Sequence, residues 1–297
     1  MEKQYRDYSD FLAGYFDCKV QKLSVDAGLS CPNRDGTFGR GGCSYCLNQS
    51  FNPDYCRKMS SITAQIEEGK RFFGKKYSNM RYVAYFQAYT GTHAGIERLK
   101  ALYEEALAVD GVDGLVIGTR PDCMPDSLLD YLKALSEERF VMIEYGAESS
   151  HDKTLSKVNR CHTWAAVEDA VRRTKMYGLP VGLHLILGLP DETEDMMLQT
   201  VDRVSELNPD VVKFHQLQLL KGTRLLRQVT DGEISVIQWS LDEYLDFCVR
   251  IIRRINPAIA IDRFTSQSPD DLLVWPRWGV KNYQFVQRLN NLLRSRV

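Results

Sequence analysis

Three cysteines in a short glycine-rich stretch are the residues of this sequence best suited to do chemistry. Cys31, Cys43 and Cys46 lie close together along the chain, and only two residues separate the last two. The stretch lacks the apolar periodicity of a segment that is buried in a core. Cysteine thiolates at such spacing bind either zinc or an iron–sulfur cluster. We therefore interpret the stretch as a metal-ligand loop.

The number of ligands bears on which metal this loop would bind. A structural zinc site uses four ligands, but the nearest additional cysteines, Cys18 and Cys56, form no second Cys-x-x-Cys pair, and no histidine lies nearby. Three cysteines instead leave one metal position open, as in a four-iron cluster with one uncoordinated iron. The residues alone favour such a cluster, while structural zinc and unrelated thiols stay open as alternatives.

The composition is that of an ordinary soluble globular protein, because 44% of the 297 residues are hydrophobic and 26% are charged. We expect a cytoplasmic protein without a membrane span. The charged N-terminus does not resemble a signal peptide, and the longest apolar run, residues 181–189, contains His184 and two glycines. In such a protein, eight cysteines favour metal binding or catalysis over a disulfide framework.

Charge is unevenly distributed, although the formal net charge is only −1. The segment from Trp275 to Val297 contains basic residues and no acidic residue. These basic residues are Arg277, Lys281, Arg288, Arg294 and Arg296. Such a tail could contact phosphate groups, or it could be the solvated face of a terminal helix, and both interpretations stay open.

Strands and helices alternate along the sequence. A strand at 19–26 leads into the cysteine loop, and further strands are predicted at 82–87, 114–118, 140–145, 181–187, 211–218 and 258–264. Helices are predicted at 61–73, 95–109, 125–135, 164–177 and 194–207, after Ser240, and near the C-terminus. Ser60 or Ser61 would cap the first helix, Thr163 and Thr193 would cap later ones, and Ser240 opens a capping box.

This alternation predicts an α/β fold in which parallel strands are joined by right-handed helical crossovers. We expect a partial (β/α)6-type TIM barrel with a C-terminal strand and helix extension. Residues 1–297 would form one domain, with a core at about 19–220 and an extension at about 221–297. Active sites of such barrels lie at the C-terminal ends of the strands, which is where the cysteine loop falls.

The cysteine loop resembles that of the radical S-adenosylmethionine (SAM) superfamily. The similarity rests first on Cys43-Ser-Tyr-Cys46, in which the residue before the last cysteine is aromatic. The resemblance implies that this residue, Tyr45, packs near the adenine of SAM. Eleven residues separate Cys31 from Cys43, whereas most members of the superfamily have three and relatives of the elongator catalytic subunit have longer gaps.

The ends of later strands also resemble SAM-binding segments of this superfamily. Gln87 corresponds to a segment that binds the amino group of SAM, and Glu148-Ser149 corresponds to one that contacts the ribose. Arg160, within Asn-Arg-Cys-His, would pair with the carboxylate of SAM. Gly188, within Gly-Leu-Pro-Asp-Glu-Thr, would let the backbone approach the adenine. The resemblance covers roughly residues 20 to 220.

The resemblance also implies a mechanism. Cys31, Cys43 and Cys46 would hold a [4Fe-4S] cluster that binds SAM at its open iron. An electron from a flavodoxin- or ferredoxin-type donor would cleave SAM and give a 5′-deoxyadenosyl radical, which abstracts hydrogen from the substrate. The protein would position these groups and exclude water.

The whole chain, including Cys-Pro-Asn-Arg-Asp-Gly-Thr from residue 31 and Trp-Pro-Arg-Trp from residue 275, looks like the YtqA/YhcC-type subgroup of the superfamily. Its core is similar to the elongator catalytic subunit. This resemblance implies that the substrate is the wobble uridine of tRNA, whose carboxymethylaminomethyl group would be processed to aminomethyl. The basic tail would then contact phosphates together with four further arginines. These are Arg250, Arg253, Arg254 and Arg263.

Two alternatives to a tRNA substrate stay open. One is a radical SAM oxidoreductase that acts on a small metabolite, similar in its core to the anaerobic coproporphyrinogen oxidases. The other is a non-catalytic zinc-binding protein of barrel fold.

Several other histidines and cysteines receive no catalytic role. The histidines on or near strand ends could face a cavity, although a lone histidine is more often an ordinary polar residue. They are His93, His162, His184 and His215. The cysteines interpreted as plain thiols are Cys18, Cys56, Cys123 and Cys248, while Cys161 has no assigned role. No oligomeric state is predicted.

Overall fold

The computed structural model describes residues 4–59, 61–74 and 80–295. Strands and helices alternate along these residues, as the sequence predicts. The strands are β1 (Lys19–Val25), β2 (Met80–Phe86), β3 (Val112–Thr119), β4 (Phe140–Glu148), β5 (Val181–Leu187), β6 (Val211–Gln216), β7 (Leu219–Leu220), β8 (Ala260–Arg263) and β9 (Leu273–Trp275). The α-helices are α1 (Tyr8–Leu12), α2 (Pro32–Asp35), α3 (Asp54–Lys58), α4 (Ile62–Phe73), α5 (Ile96–Leu107), α6 (Asp126–Leu135), α7 (Asp152–Lys157), α8 (Trp164–Met176), α9 (Glu194–Leu207), α10 (Arg224–Thr230), α11 (Leu241–Arg254) and α12 (Asn282–Ser295).

Several helices begin at the capping residues that the sequence predicts. Ser61, Thr163 and Thr193 each accept a hydrogen bond from a backbone N–H in the first turn of α4, α8 and α9. Ser240 opens α11 with the predicted capping box. Ser60, the alternative cap of α4, lies outside the described residues. These caps fix where each crossover helix starts and therefore where each strand-to-helix loop ends.

In the described part of the chain, seven strands form one parallel sheet in the order β1-β2-β3-β4-β5-β6-β8. The order follows the chain because crossover helices return each strand to the same growing edge. The sheet curls until its edge strands approach, so that Lys22 Nζ of β1 lies 2.6 Å from Asp262 Oδ2 of β8. The predicted α/β partial barrel is confirmed, and its seventh strand comes from the C-terminal extension.

The long helices cover the outer face of this sheet. Leu99 and Tyr103 of α5 and Leu128 of α6 are fully or almost fully buried in one apolar cluster against the strands. Strands such as β3 are therefore buried on both faces, which explains why residues 115–117 form a continuous apolar run. None of the helices in the described ranges is long and apolar enough to cross a membrane.

The barrel interior changes from apolar to charged along its axis. At the N-terminal ends of the strands, Phe11 of α1 packs among Val83, Phe140 and Met142 and closes that end. Above this plug lies a group of charged residues that we call the charge layer. The charge layer consists of Lys22, Glu144, Lys213 and Asp262. A cavity can therefore form at the opposite end, where the strands have their C-termini.

The structure differs from the predicted elements in local detail. β4 runs three residues further than expected, to Glu148, and its pairing with β5 shifts register between Gly146 and Glu148. The short helices α1, α2, α3, α7 and α10 were not predicted, because fewer than two turns leave too little periodicity to detect.

Candidate active site

A cavity of about 260 Å³ opens at the C-terminal ends of the strands. Most of the predicted site residues line it, although they come from distant parts of the sequence. The predicted residues in its wall are Cys31, Cys43, Tyr45, Cys46, Gln87, Glu148 and Arg160. The structure therefore brings the metal-ligand loop and most of the predicted SAM contacts to one place.

The eleven residues between Cys31 and Cys43 adopt a defined structure that includes α2. Cys31 precedes α2, and Asn33 in that helix is buried and donates from Nδ2 to Cys43 Sγ at 3.6 Å. Arg34 donates to the carbonyl oxygen of Cys46 at 3.0 Å. A Cβ atom at Gly42 would lie 2.8 Å from Arg34 Nε, so this glycine leaves room for the arginine. The inserted turn thus fixes the positions of the second and third cysteines.

The three loop thiols influence one another electrostatically. Burial raises the pKa of the Cys46 thiol to about 11, and the neighbouring Cys43 and Cys31 add to this effect while Arg34 opposes it. Because each of these thiols disfavours the charged form of the next, a bound cation is needed to hold them deprotonated. This donor set fits an iron–sulfur cluster.

Within the described residues, no three His, Cys, Asp or Glu side chains converge closely enough to hold a single metal ion. This spacing is compatible with a cluster, because each cysteine of a four-iron cluster binds a different iron.

Arg160 occupies the wall beside the loop cysteines. Its Nη2 donates to the carbonyl oxygen of Gly146 at 2.6 Å and lies 3.3 Å from Glu148 Oε1, and its Nη1 lies 3.7 Å from Cys43 Sγ. Its Nε is buried and has no hydrogen-bond partner among the described residues. A buried guanidinium with an unused donor fits the carboxylate of SAM.

Glu148 is held in the wall by unusual backbone geometry. It follows a register shift in the sheet and has a φ of 68°, which few residues other than glycine adopt. Burial raises the pKa of its carboxyl group, and the charge of Arg160 opposes that rise. A Cβ atom at Gly146 would lie 2.6 Å from Arg160 Nη2 and 2.7 Å from Glu148 Oε1. Glycine at this position therefore makes room for the Arg160–Glu148 pair.

Gln87 lies just beyond β2 and is anchored by its amide nitrogen. Its Nε2 donates to Ser24 Oγ at 2.8 Å and to the carbonyl oxygen of Phe51 at 3.0 Å. Nearby in the cavity wall, Thr90 Oγ1 is buried and has no hydrogen-bond partner in the described part of the chain. A hydroxyl oxygen in this position can accept a hydrogen bond from an ammonium group.

Ser149 and Gly188 are the two predicted SAM contacts that do not line this cavity. The Ser149 hydroxyl donates to the buried carboxyl of Glu192, and burial raises the pKa of that carboxyl to about 7. Gly188 has a φ of 89°, and a Cβ atom there would lie 3.1 Å from the ring of Trp239. Both residues lie behind the residues that line the cavity, and their contacts with SAM stay predictions.

Two of the four histidines near strand ends face the cavity, namely His184 and His215. The nearest described partner of His184 is Glu144, whose Oε2 lies 2.7 Å from His184 Nε2. Burial and the charge of Lys213 lower the pKa of His184 to about 4. His162 lies behind the wall, with Nε2 3.1 Å from the carbonyl oxygen of Gly146.

Sequence reasoning missed the charge layer beneath the cavity. Part of its signal is available, since Glu144 and Lys213 are charged residues within predicted strands that are otherwise largely buried. All eight cysteines are free thiols in the structure. Cys161, to which the sequence assigns no role, lies beside the loop and donates to Asn33 Oδ1 at 3.1 Å.

The arginines expected to reach phosphates are placed differently from one another. Arg254 pairs with Asp202 at 2.6 Å, and Arg250 pairs with Glu194, both on the outer surface. Arg263 instead lines the cavity, and its contact with a phosphate stays a prediction. The strand that carries it, β8, pairs with β6 as the last strand of the parallel sheet. Arg296 of the basic tail lies outside the described residues.

Family models describe most of the chain. The model of the radical SAM superfamily matches residues 34–204, and that of the Radical_SAM C-terminal domain matches residues 209–295. The chain is 35% identical to the protein YtqA of Bacillus subtilis, across 99% of this chain and 91% of that protein. It is 36% identical to the protein YhcC of Escherichia coli K12, across 99% of this chain and 94% of that protein.

More distant similarities concern only parts of proteins or the fold. The chain is 29% identical over 127 residues to the tRNA uridine(34) acetyltransferase of Methanocaldococcus infernus, which covers 41% of this chain and 23% of that enzyme. The solved structure of Elp3 from the same archaeon matches with a TM-score of 0.67 at 16% identity, covering 93% of this chain and 63% of that one. Coproporphyrinogen III oxidase (HemN) of E. coli matches with a TM-score of 0.53 at 17% identity, covering 84% and 56%.

The cysteine spacing alone does not distinguish zinc from an iron–sulfur cluster, and the family match decides between them. Members of this family use a [4Fe-4S] cluster together with SAM, so the interpretation as a non-catalytic zinc-binding protein falls away. The cavity wall offers matching groups for both, namely three cysteines in one loop and a buried arginine with an unused donor. The chain belongs to the radical SAM superfamily and is a radical SAM enzyme.

Proposed function

We propose that this enzyme modifies the wobble uridine of tRNA, converting its carboxymethylaminomethyl group to aminomethyl. In the balanced reaction SAM is the two-electron oxidant and gives methionine and 5′-deoxyadenosine, while water cleaves the N–C bond and the carboxymethyl unit leaves as a two-carbon oxo acid. The partial similarity to a tRNA uridine(34) acetyltransferase and the shared fold with Elp3 are consistent with this substrate. A tRNA substrate would also imply a cytoplasmic location. The reducing electron would come from a flavodoxin- or ferredoxin-type protein.

The observation that carries the proposal is a pair of exposed aromatic rings at the mouth of the cavity. Phe51 and Tyr89 line the cavity beside the cysteine loop, yet 41% and 38% of their surfaces are exposed. The guanidinium of Arg34 lies 5.7 Å from the centroid of the Tyr89 ring. Exposed aromatic rings and arginine planes are the surfaces on which unpaired RNA bases stack. A wobble base could be stacked here while its substituent enters the cavity.

The remaining residues have roles that follow from their positions. Cys31, Cys43 and Cys46 would ligate the cluster. SAM would be bound by Tyr45, Gln87, Glu148 and Arg160, and Ser149 and Gly188 would support or complete that contact. The chemistry that the cluster and SAM supply when bound is the one-electron cleavage of SAM, which yields a radical able to abstract hydrogen from carbon. The buried wall would keep water away from that radical.

The direct test follows the modified nucleoside. Anaerobic enzyme is incubated with SAM, a reductant and tRNA that carries carboxymethylaminomethyluridine, and the digested nucleosides are analysed by mass spectrometry. We expect loss of this nucleoside, gain of aminomethyluridine and formation of 5′-deoxyadenosine. Formation of 5′-deoxyadenosine only with an added small metabolite, and never with tRNA, would favour the metabolite oxidoreductase instead.

A separate experiment tests whether Phe51 and Tyr89 stack on a base of the tRNA. Phe51→Ala and Tyr89→Ala should each raise the KM for tRNA roughly tenfold, because a stacked base is worth about 1–3 kcal/mol. Phe72→Ala is the matched control, since Phe72 is 71% exposed on α4 and does not line the cavity. Equal KM values for all three variants would argue against base stacking at the mouth.

A further inference from the structure

In the charge layer beneath the cavity, each of the two lysines pairs with both carboxylates. Glu144 lies 3.0 Å from Lys22 Nζ and 2.8 Å from Lys213 Nζ. Asp262 lies 2.6 Å from Lys22 Nζ and 3.4 Å from Lys213 Nζ. The two lysines and the two carboxylates therefore neutralise one another inside the barrel.

Arg263 adds a cation to this balanced set. It directly follows Asp262 in β8 and lines the cavity that also contains the three loop cysteines. Within the described residues it makes no ion pair, and its Nε, which is shielded from solvent, has no hydrogen-bond partner. An arginine cannot lose its proton to relieve this situation. The inner end of the cavity therefore carries one positive charge that lacks a partner.

Neighbouring titratable groups do not offset this charge. Burial and nearby cations lower the pKa of His184 to about 4 and hold the pKa of His215 well below its usual range, so both rings are neutral at pH 7. Burial raises the pKa of Tyr85, which is therefore also neutral. The other cation–carboxylate pairs in this region, Arg160 with Glu148 and Arg120 with Asp122, are complete in themselves.

The wall around Arg263 is held in place by hydrogen bonds between β6 and the segment after β8. Ser266 donates its backbone N–H to Gln216 Oε1 at 2.7 Å and accepts from Gln216 Nε2 at its carbonyl oxygen at 2.9 Å. The same carbonyl oxygen accepts from Gln218 Nε2 at 3.2 Å, and the Ser266 hydroxyl is hydrogen-bonded to His215 Nδ1. We call His215, Gln216, Gln218, Arg263 and Ser266 the polar wall. Hydrogen bonds hold the other four residues of the polar wall in place. The guanidinium of Arg263 remains available to bind a ligand.

We propose that Arg263 binds a carboxylate of the substrate at the inner end of the cavity, and so holds the substrate across from the cysteine loop. A planar guanidinium matches a carboxylate through two parallel hydrogen bonds, and burial strengthens such a pair. This inference rests on the proposed function, in which the substituent on the wobble uridine ends in a carboxylate. A backbone phosphate is the other anion of tRNA, and the experiment separates the two.

The test compares the binding of two anticodon stem-loop RNAs that differ only in the wobble substituent, in the presence of SAM and without reductant. One carries carboxymethylaminomethyluridine and the other carries aminomethyluridine. Wild-type enzyme should bind the first at least tenfold more tightly, because hydrogen bonds to a charged group are among the strongest that proteins form. Arg263→Gln should abolish this preference, and Arg263→Lys, which keeps the charge without the fork, should restore part of it. Arg172→Gln, on the exposed face of α8, should keep the full preference.

The second measurement is the amount of 5′-deoxyadenosine released per product formed. A purely structural role of Arg263 would not change this ratio. Arg263→Gln should raise the KM for tRNA and release 5′-deoxyadenosine without a matching amount of product, while its iron content equals that of wild type. Equal weakening of both RNAs in Arg263→Gln would identify a phosphate contact and overturn the inference. An unchanged preference in Arg263→Gln would also overturn it. If wild-type enzyme leaves the wobble nucleoside unchanged, the proposed function fails and the inference falls with it, whereas the other outcomes leave the proposed function intact.

Discussion

The two sides of the cavity are built in different ways. One side, which we call the cofactor wall, consists of Cys31, Cys43, Cys46, Glu148 and Arg160, and its members sit in short local motifs. The polar wall on the other side joins β6 to the segment after β8, about fifty residues later in the chain. The cofactor wall contains the residues for which sequence motifs predict cluster and SAM binding, whereas those motifs assign no role to the polar wall. We therefore propose that the cofactor is bound on one side and the substrate is selected on the other.

The charge layer joins the two walls, and breaking it should have the largest effect on stability. Glu144→Ala would leave Lys22 and Lys213 buried with Asp262 as the one carboxylate that the charge layer still offers them. Loss of one partner from a buried ion pair costs about 3–5 kcal/mol. The free energy of unfolding, measured with urea on the cluster-free protein, should fall by that amount. Glu168→Ala, which removes the partner of Arg172 on the surface, should change it by less than about 0.5 kcal/mol.

Arg160 tests the cofactor wall alone. Arg160→Met should weaken SAM binding roughly 100-fold, because it removes the buried cation beside Cys43 and Glu148. Equilibrium dialysis with labelled SAM measures this directly, and Arg263→Gln should bind SAM as tightly as wild type does. The same loss of SAM affinity in both variants would mean that the two walls do not divide the binding tasks.

Glu192, behind the cofactor wall, should make stability depend on pH. Burial raises the pKa of its carboxyl from 4.5 to about 7, so between these values the folded chain keeps a proton that the unfolded chain has released. Folding is therefore favoured at low pH, and this contribution is lost as pH rises through 7. Glu192→Gln, which stays neutral, should be more stable than wild type by about 3 kcal/mol at pH 8 and by little at pH 4.5. A difference independent of pH would show that Glu192 is not protonated in the folded state.

The smallest predicted effect concerns the loop between the first two cysteines. Gly42→Ala places a Cβ atom 2.8 Å from Arg34 Nε at a φ of 74°. Arg34 is flexible and can move aside, so the cost should be only about 1–2 kcal/mol, most of it from the backbone. The variant should lose its iron faster than wild type when exposed to a chelator, and Gly232→Ala, at a similar φ with open space around it, should not.

These two walls also show how much the sequence could predict. The strand and helix order, the cysteine loop and Arg160 follow from local patterns, and the structure places them where those patterns indicate. Ser149 is turned away from the cavity because its hydroxyl is bound to Glu192, a contact between distant strand ends that no local pattern encodes. The sequence predicts a phosphate contact for Arg263 but does not place its side chain in the cavity, because nothing nearby in sequence reveals that β8 joins the sheet beside β6.

The most direct test of the cofactor wall is the iron and sulfide content of anaerobically purified protein, combined with electron paramagnetic resonance with and without SAM. Wild type should contain about four irons per chain and give a reduced-cluster signal that SAM alters. Cys43→Ala should lose both, whereas Cys18→Ala, at the closed end of the barrel before β1, should keep both. A full cluster in Cys43→Ala, or stoichiometric zinc without iron in wild type, would contradict the assignment of these cysteines.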